Sequence, residues 1–409
     1  MSENFAGNLK WTPWSPREEL KPDFYIEDTR LKISAGNNPN VYGKFLSGEI
    51  SVPDLDIITF EVSFSYENIK NTENSIFAML SFYDCKNTML ERDYADITKT
   101  GEKNPQKFYK KLDAPKNAAY VILEMGVRWC PEGSAEFYNI TLKASKKADE
   151  PQRTVKIATT YKQRRATRSE NLKSMVDIID KAGRSSPDVI LLSELVYESC
   201  YDAGSNKKAQ PIPGQLTDII GGYAKKYNTY IIFTMNEKDG DAIYNSAVII
   251  GRDGAVCGKY RKTHLPLTEA EEGTSPGDGH IVFDLDFGRV GILICYDQYF
   301  PENWRTLALM GAEMIFIPTM GEDELIQRAF ARANGVYAVV SGYEGANSSR
   351  IINPLGEIIN FVKDEDTAYA AGQIDLNKRF FCYWMSIGPG NGETKSLFKK
   401  ERMVGVYSG

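Results

Sequence analysis

The spacing of apolar positions divides the chain into two stretches with different periods. Up to about residue 147, apolar residues come in short alternating or continuous runs, at 57–64, 75–83 and 119–125 among others. Asn, Asp, Gly and Pro separate these runs, and none shows the 3.6-residue repeat of a long amphipathic helix. Several short strands over ~140 residues predict an all-β sandwich. The polar stretch KASKKADEPQR at 143–153 reads as a connector. The expected organisation is a β-sandwich accessory domain at 1–147, a linker at 148–154 and a second domain at 155–409.

From Val155 onward strand and helix patterns alternate. A strand at 155–160 precedes a helix capped by Ser169, whose Leu172, Met175, Val176, Ile178 and Ile179 share one face. A buried strand is expected at 188–192 and a helix at 215–227. Two hairpins follow, turning at Asp253-Gly254 and near Phe287-Gly288. Then come a helix at 301–311, a strand at 314–318, a helix at 323–334, a strand at 336–342 and a turn at 354–356. Helices mixed with hairpins imply partly antiparallel sheets with helices outside, and two such sheets face to face make a four-layer α-β-β-α sandwich. Periodicity by itself supports an α/β or α+β domain and nothing finer.

Composition narrows the function. Lys and Arg number 49 against 55 Asp and Glu, a net charge of −6, which points away from nucleic-acid and anionic-membrane binding. No run approaches the ~20 apolar residues of a membrane span, and residues 1–5 lack the pattern of a secretory signal. Six cysteines, Cys85, Cys130, Cys200, Cys257, Cys295 and Cys382, lie far apart with no CxxC pair, which suits reduced thiols and a cytoplasmic location. Only two histidines occur, His264 and His280, too few for the usual zinc sites. Acid–base chemistry would therefore fall to carboxylates, Lys or Cys.

Three strand ends each deliver such a group just past an apolar run. In LLSEL, Glu194 ends a buried strand, where a carboxylate is costly unless paired. In GKYRKTHLP, Tyr260, Lys262 and His264 alternate with Arg261 and Thr263, so an inward Lys262 ammonium would be placed to stabilise an oxyanion. His264 reads as a packed, hydrogen-bonded residue rather than a catalyst. In GILICYDQYFPE, Cys295 ends an apolar strand before a turn, with Pro301 suited to the first helical turn after it. Such a corner exposes a nucleophile and leaves following N–H groups free for an oxyanion. A Cys there still needs an adjacent base or a depressed pKa to react.

Together these three blocks resemble the signature segments of the nitrilase (carbon–nitrogen hydrolase) superfamily. The resemblance spans roughly 155–376 and includes FARANG at 330–335 and the NPLG turn at 353–356. It implies the four-layer sandwich, a homodimer or higher homo-oligomer, and hydrolysis of a small-molecule amide or N-carbamoyl compound with no cofactor and no metal. It assigns Glu194 as base, Cys295 as nucleophile, and Lys262 with the backbone N–H of Tyr296 as oxyanion holder. Many members carry a second glutamate before a Pro-Gly. Glu269, Glu271 and Glu272 precede Pro276-Gly277 here, with Glu271 preferred and Glu272 close behind.

Substrate-facing segments are expected at 197–213, after Cys295, and at 320–325, with Glu272, Tyr299 and Met320 as substrate-binding candidates. Asp297-Gln298-Tyr299-Phe300 lacks the consecutive arginines that some carbamoyl-amino-acid hydrolases place there; Arg164, Arg165 or Arg168 are left as carboxylate partners. Nitrile hydrolysis by the same triad is an alternative, as is a non-enzymatic binding protein on a hydrolase scaffold. The first domain weakly resembles jelly-roll carbohydrate-binding modules, with Trp11, Trp14, Tyr66, Tyr83, Tyr94 and Trp129 as a possible aromatic platform.

Overall fold

Strands such as Arg30–Ser34 and Gln106–Asp113 alternate buried and exposed positions, so each commits one face to an apolar core. The computed structural model describes residues 9–52, 57–98, 106–146, 151–201, 209–321, 323–344, 348–363, 365 and 368–407. It divides into two units, one made of Met1–Pro151 with Phe380–Gly409, the other of Gln152–Arg379.

In the first unit two sheets share one core. The six-stranded sheet runs Asp23–Glu27, Arg30–Ser34, Ser134–Ser145, Ile57–Glu67, Gln106–Asp113, Asp96–Thr98. The larger sheet runs Trp11–Trp14, Tyr42–Ser47, Tyr120–Arg128, Ile76–Tyr83, Met89–Tyr94, Gly388–Glu393, Phe381–Trp384, with Ile50–Ser51 paired beside Tyr120–Arg128. Phe45, Phe60, Phe64, Phe82, Phe108 and Phe137 fill the space between them.

Two expectations are corrected here. The second domain does not run to 409, because the last strands and the helix Thr394–Lys400 belong to the first unit. Gly388–Glu393 (GPGNGE) has no apolar alternation to reveal it. It is a strand because it forms an antiparallel hairpin with Phe381–Trp384 and meets Met89–Tyr94 in parallel at Asn391 and Glu91, and Leu397 then packs on Phe77, Met79 and Tyr94. The aromatic platform does not assemble either. Tyr94 is buried, Tyr83 stacks on Tyr120, and Tyr66 lies in the other sheet beside Phe64. Of the linker, residues 147–150 lie outside the described residues, while Lys143 still belongs to strand Ser134–Ser145.

The second unit has the four expected layers. One sheet is ordered Val256–Arg261, Ala242–Ile250, Tyr230–Asp239, Val189–Leu191, Thr154–Tyr161, Ala368–Asp375. Helices Arg168–Gly183 and Gln215–Tyr227 cover it through Met175, Ile178, Ile179, Leu216 and Ile220. The other sheet is ordered Val282–Leu285, Gly288–Ile292, Met314–Pro318, Tyr337–Ser341, Ser348–Ile352, Ile358–Lys363. Pro301–Leu309 and Glu324–Asn334 pack on it through Trp304, Leu307 and Ala331. Helix Arg168–Gly183 is capped by Thr167, not Ser169, because Thr167 and Glu170 close a reciprocal capping box.

Between the two sheets, buried hydroxyls bridge from one to the other. The Thr159 hydroxyl donates to the Val340 carbonyl at 2.6 Å, and the Ser341 hydroxyl to the Thr160 carbonyl at 2.6 Å. Each buried hydroxyl thus finds an acceptor across the interface, which removes the cost of burying it.

Candidate active site

The three reactive groups reach one place because each sits at a strand end pointing the same way. Glu194 follows Val189–Leu191, and Leu195 after it turns the chain with φ +45°. Lys262 extends Val256–Arg261 by one residue: its N–H donates to the Asn245 carbonyl at 2.9 Å, and its own carbonyl accepts from Gly277 at 2.8 Å. A Cβ on Gly277 would stand 2.4 Å from the Arg261 carbonyl oxygen, so only glycine lets the Pro276-Gly277 segment run this close. Cys295 follows the buried pair Leu293-Ile294 at φ +46°, a left-handed conformation unusual for a residue with a Cβ.

Asp297 holds that corner. Its carboxylate, fully buried, accepts from the Ile294 N–H at 3.0 Å, the His264 N–H at 2.8 Å, the Thr263 hydroxyl at 3.0 Å and the Tyr260 hydroxyl at 2.9 Å. One side chain therefore ties the segment bearing Lys262 to the turn bearing Cys295. His264 stacks on Phe300 with ring centroids 3.9 Å apart and its Nδ1 lies 3.2 Å from Asp297, the packed role expected of it.

Lys262 Nζ lies 3.1 Å from Glu194 Oε1 and 2.6 Å from Glu269 Oε1. Glu194 Oε1 also accepts from Asn245 Nδ2 at 2.8 Å, and its Oε2 from the Met320 N–H at 3.0 Å. Burial works against the Lys262 charge, but the neighbouring Glu194, Cys295 and Glu269 hold its pKa above the ordinary lysine value. For Cys295, burial and then the Glu194 charge push the thiol up to about 12. Lys262, the Thr319 hydroxyl and the backbone of Gly321 pull the other way, favouring the thiolate. The resting sulfur thus carries its proton within the field of the Glu194 carboxylate.

The second glutamate is a correction. Glu269, not Glu271, reaches Lys262; Glu271 and Glu272 are exposed. The one-turn helix Leu267–Glu271 is the reason, since it turns Glu269 inward and the residues after it outward. Tyr296 and Tyr299 stand partly exposed on the turn after Cys295, with rings 5.8 Å apart. Met320 meets the site through its backbone N–H and accepts a hydrogen bond from Ser199 Oγ at its sulfur, 3.6 Å away. Arg164 is paired with Glu344 at 3.1 Å. Of the expected substrate-facing segments, 202–208 and 322 lie outside the described residues. Sequence reasoning missed Asn245 and Thr319, and named Met320 only as a substrate-binding candidate, not as a partner of Glu194. Polar Asn245-Ser246 within the apolar run 243–250 was the one available signal for the former. Among the described residues no three His, Cys, Asp or Glu side chains are gathered so as to hold a metal ion.

The four-layer sandwich thus gathers Glu194, Lys262 and Cys295 at aligned strand ends. The carbon–nitrogen hydrolase family matches residues 156–379, and the chain belongs to that family. A nitrilase from Pyrococcus abyssi is 35% identical over 230 residues, covering 51% of this chain and 87% of the relative. An N-carbamoylputrescine amidase from Solanum lycopersicum is 30% identical over 248 residues, covering 51% and 82%. The crystal structure of a carbon–nitrogen hydrolase from Helicobacter pylori superposes with a TM-score of 0.51 at 22% identity, covering 62% of this chain and 97% of that one, and so shares the fold.

Proposed function

We propose that the chain hydrolyses a small-molecule amide or N-carbamoyl compound through a thioester on Cys295. The observation that carries this reading is the Lys262 ammonium bracketed by Glu194 and Glu269, with the charges of Glu194 and Lys262 both felt by the Cys295 thiol.

Glu194 takes the Sγ proton as sulfur bonds to the carbonyl carbon. Lys262 and the N–H of Tyr296 receive the developing oxyanion; N–H groups in the first turn of a helix have no intrahelical acceptor. The C–N bond breaks as Glu194 hands the proton to the departing nitrogen. Water then gives a proton to Glu194 and adds to the thioester, the C–S bond breaks, and the sulfur is reprotonated as the acid leaves. Glu269 keeps Lys262 charged and aimed. Asn245 and Met320 hold both Glu194 oxygens, so the base moves little between steps. The P. abyssi relative, named a nitrilase, favours one other substrate class for the same groups, in which sulfur adds to a nitrile carbon. Pairing of two copies into a homodimer is part of this proposal.

Intact mass measured during turnover of amides, N-carbamoyl amino acids and nitriles, with ammonia followed in parallel, tests the reading. An acyl adduct on Cys295, lost together with all turnover in Cys295→Ala, is the expected result. Turnover persisting in folded Cys295→Ala would overturn it.

A further inference from the structure

Beyond the triad, one buried polar chain reaches the site from outside it. Gln298 lies three residues past Cys295 in the turn Cys295–Tyr299 and is fully buried. Its Nε2 donates to the Gly321 carbonyl at 2.9 Å and lies 3.4 Å from Thr319 Oγ1. Its Oε1 accepts from Gln327 Nε2 at 2.7 Å, and Gln327 Oε1 accepts from Arg350 Nη1 at 2.8 Å. Gln327 is fully buried on helix Glu324–Asn334, and Arg350, nearly so, is on strand Ser348–Ile352. Trp304 Nε1 donates to the Gln298 carbonyl at 2.9 Å and fixes its backbone.

The polarity of this chain is forced. A guanidinium only donates, so Gln327 must turn its oxygen to Arg350 and its amide nitrogen to Gln298. Gln298 must then offer its oxygen to Gln327 and its nitrogen to Gly321. The reversed amide would set two acceptors against each other in a buried space, at the cost of an unmade hydrogen bond.

What the chain grips is the 319–321 turn, and that turn touches both partners in proton transfer. Met320 N–H holds Glu194 Oε2, the Thr319 hydroxyl and the Gly321 backbone hydrogen-bond each other, and both stand near enough to Cys295 to favour its thiolate. We propose that Gln298, oriented by Gln327 and Arg350, is a positioning residue that sets this turn and thereby aligns the nucleophile with its base. This rests on the reading of Cys295 as the nucleophile.

The test is the rate at which Cys295 of the full chain is labelled by iodoacetamide, a small amide, measured from pH 6 to 10 by peptide mass spectrometry. The variants are Gln298→Met and Gln327→Met, close in length and unable to relay the polarity. Both are expected to melt cooperatively, to label Cys295 about tenfold more slowly with an altered pH profile, and to leave exposed Cys85 unchanged. In hydrolysis, kcat falls while KM stays near native. If Gln298→Met does not fold, Gln327→Met carries the same comparison, since it leaves Gln298 in place and removes only what orients it. A native Cys295 labelled no faster than Cys85 would overturn the nucleophile reading and this inference with it. A reactive native Cys295 whose pH profile is unchanged in the folded relay variant overturns the inference alone.

Discussion

At the scale of single residues, Glu194 acts on Cys295 in two opposing ways. Its charge raises the thiol pKa, yet in the proposed mechanism it is the group that accepts the proton. Glu194→Gln separates these effects. Turnover is expected to fall by about a thousandfold, the usual range for losing a general base, while the pH midpoint of Cys295 labelling moves down because the carboxylate charge is gone. A midpoint that stays put or rises would show that Glu194 does not face the sulfur. Glu198 offers a second test. Its Oε1 accepts from the Asn236 N–H at 3.0 Å, and burial pushes its pKa up to about 7, against a weaker opposing pull from Arg168. Below that value the folded chain keeps a proton that the unfolded chain loses near 4.5, so stability declines as pH rises through this window. Glu198→Gln keeps the acceptor and should gain roughly 3 kcal/mol above pH 7, and nothing below about pH 4, in urea unfolding followed across pH. At this scale Glu194, Lys262 and Cys295 were legible because each reactive group ends an apolar run. Glu269 was legible only as one of three acidic candidates: counting back from Pro276-Gly277 is blind to the helical turn that aims it. Asn245 and Gln298 act across strands and layers, and single-chain spacing carries no trace of that.

At the scale of elements, the sequence pattern did best where an element makes its own case. The helix Gln215–Tyr227 and the strand Met314–Pro318 have the bounds that their apolar spacing predicts. The pattern failed for Phe381–Trp384, Gly388–Glu393 and Thr394–Lys400, which owe their form to partners in the first unit. Leu397 is the side chain that fastens them, buried against Phe77, Met79 and Tyr94. Lys110 adds ion pairing to Glu393 at 2.5 Å and a hydrogen bond to Ser396 at 2.9 Å. Leu397→Ala should destabilise the first unit by about 3 kcal/mol and open residues 381–407 to protease, leaving Cys295 labelling as in the native chain. Equal destabilisation of both units would show that this helix supports more than its own sheet.

At the scale of the whole molecule, the hydrolase unit is an insertion between two lengths of chain that fold together. Its ends emerge side by side, because Thr154 pairs with Asp375 across adjacent antiparallel strands and the Leu376 N–H donates to the Arg153 carbonyl at 2.9 Å. That closeness lets some 230 residues be housed between Pro151 and Phe380 without prising the host apart. The host is affected in time rather than in space. The Asp93 carboxylate accepts from the Glu393 N–H, a contact that spans 300 residues of chain. At a ribosome's pace of ~5–20 residues per second that interval is roughly 15–60 s. Throughout it the inserted enzyme can close on itself, while the sheet edge at Met89–Tyr94 waits for its neighbour. A strand made some 300 residues later is thus what completes a sheet begun before the inserted unit.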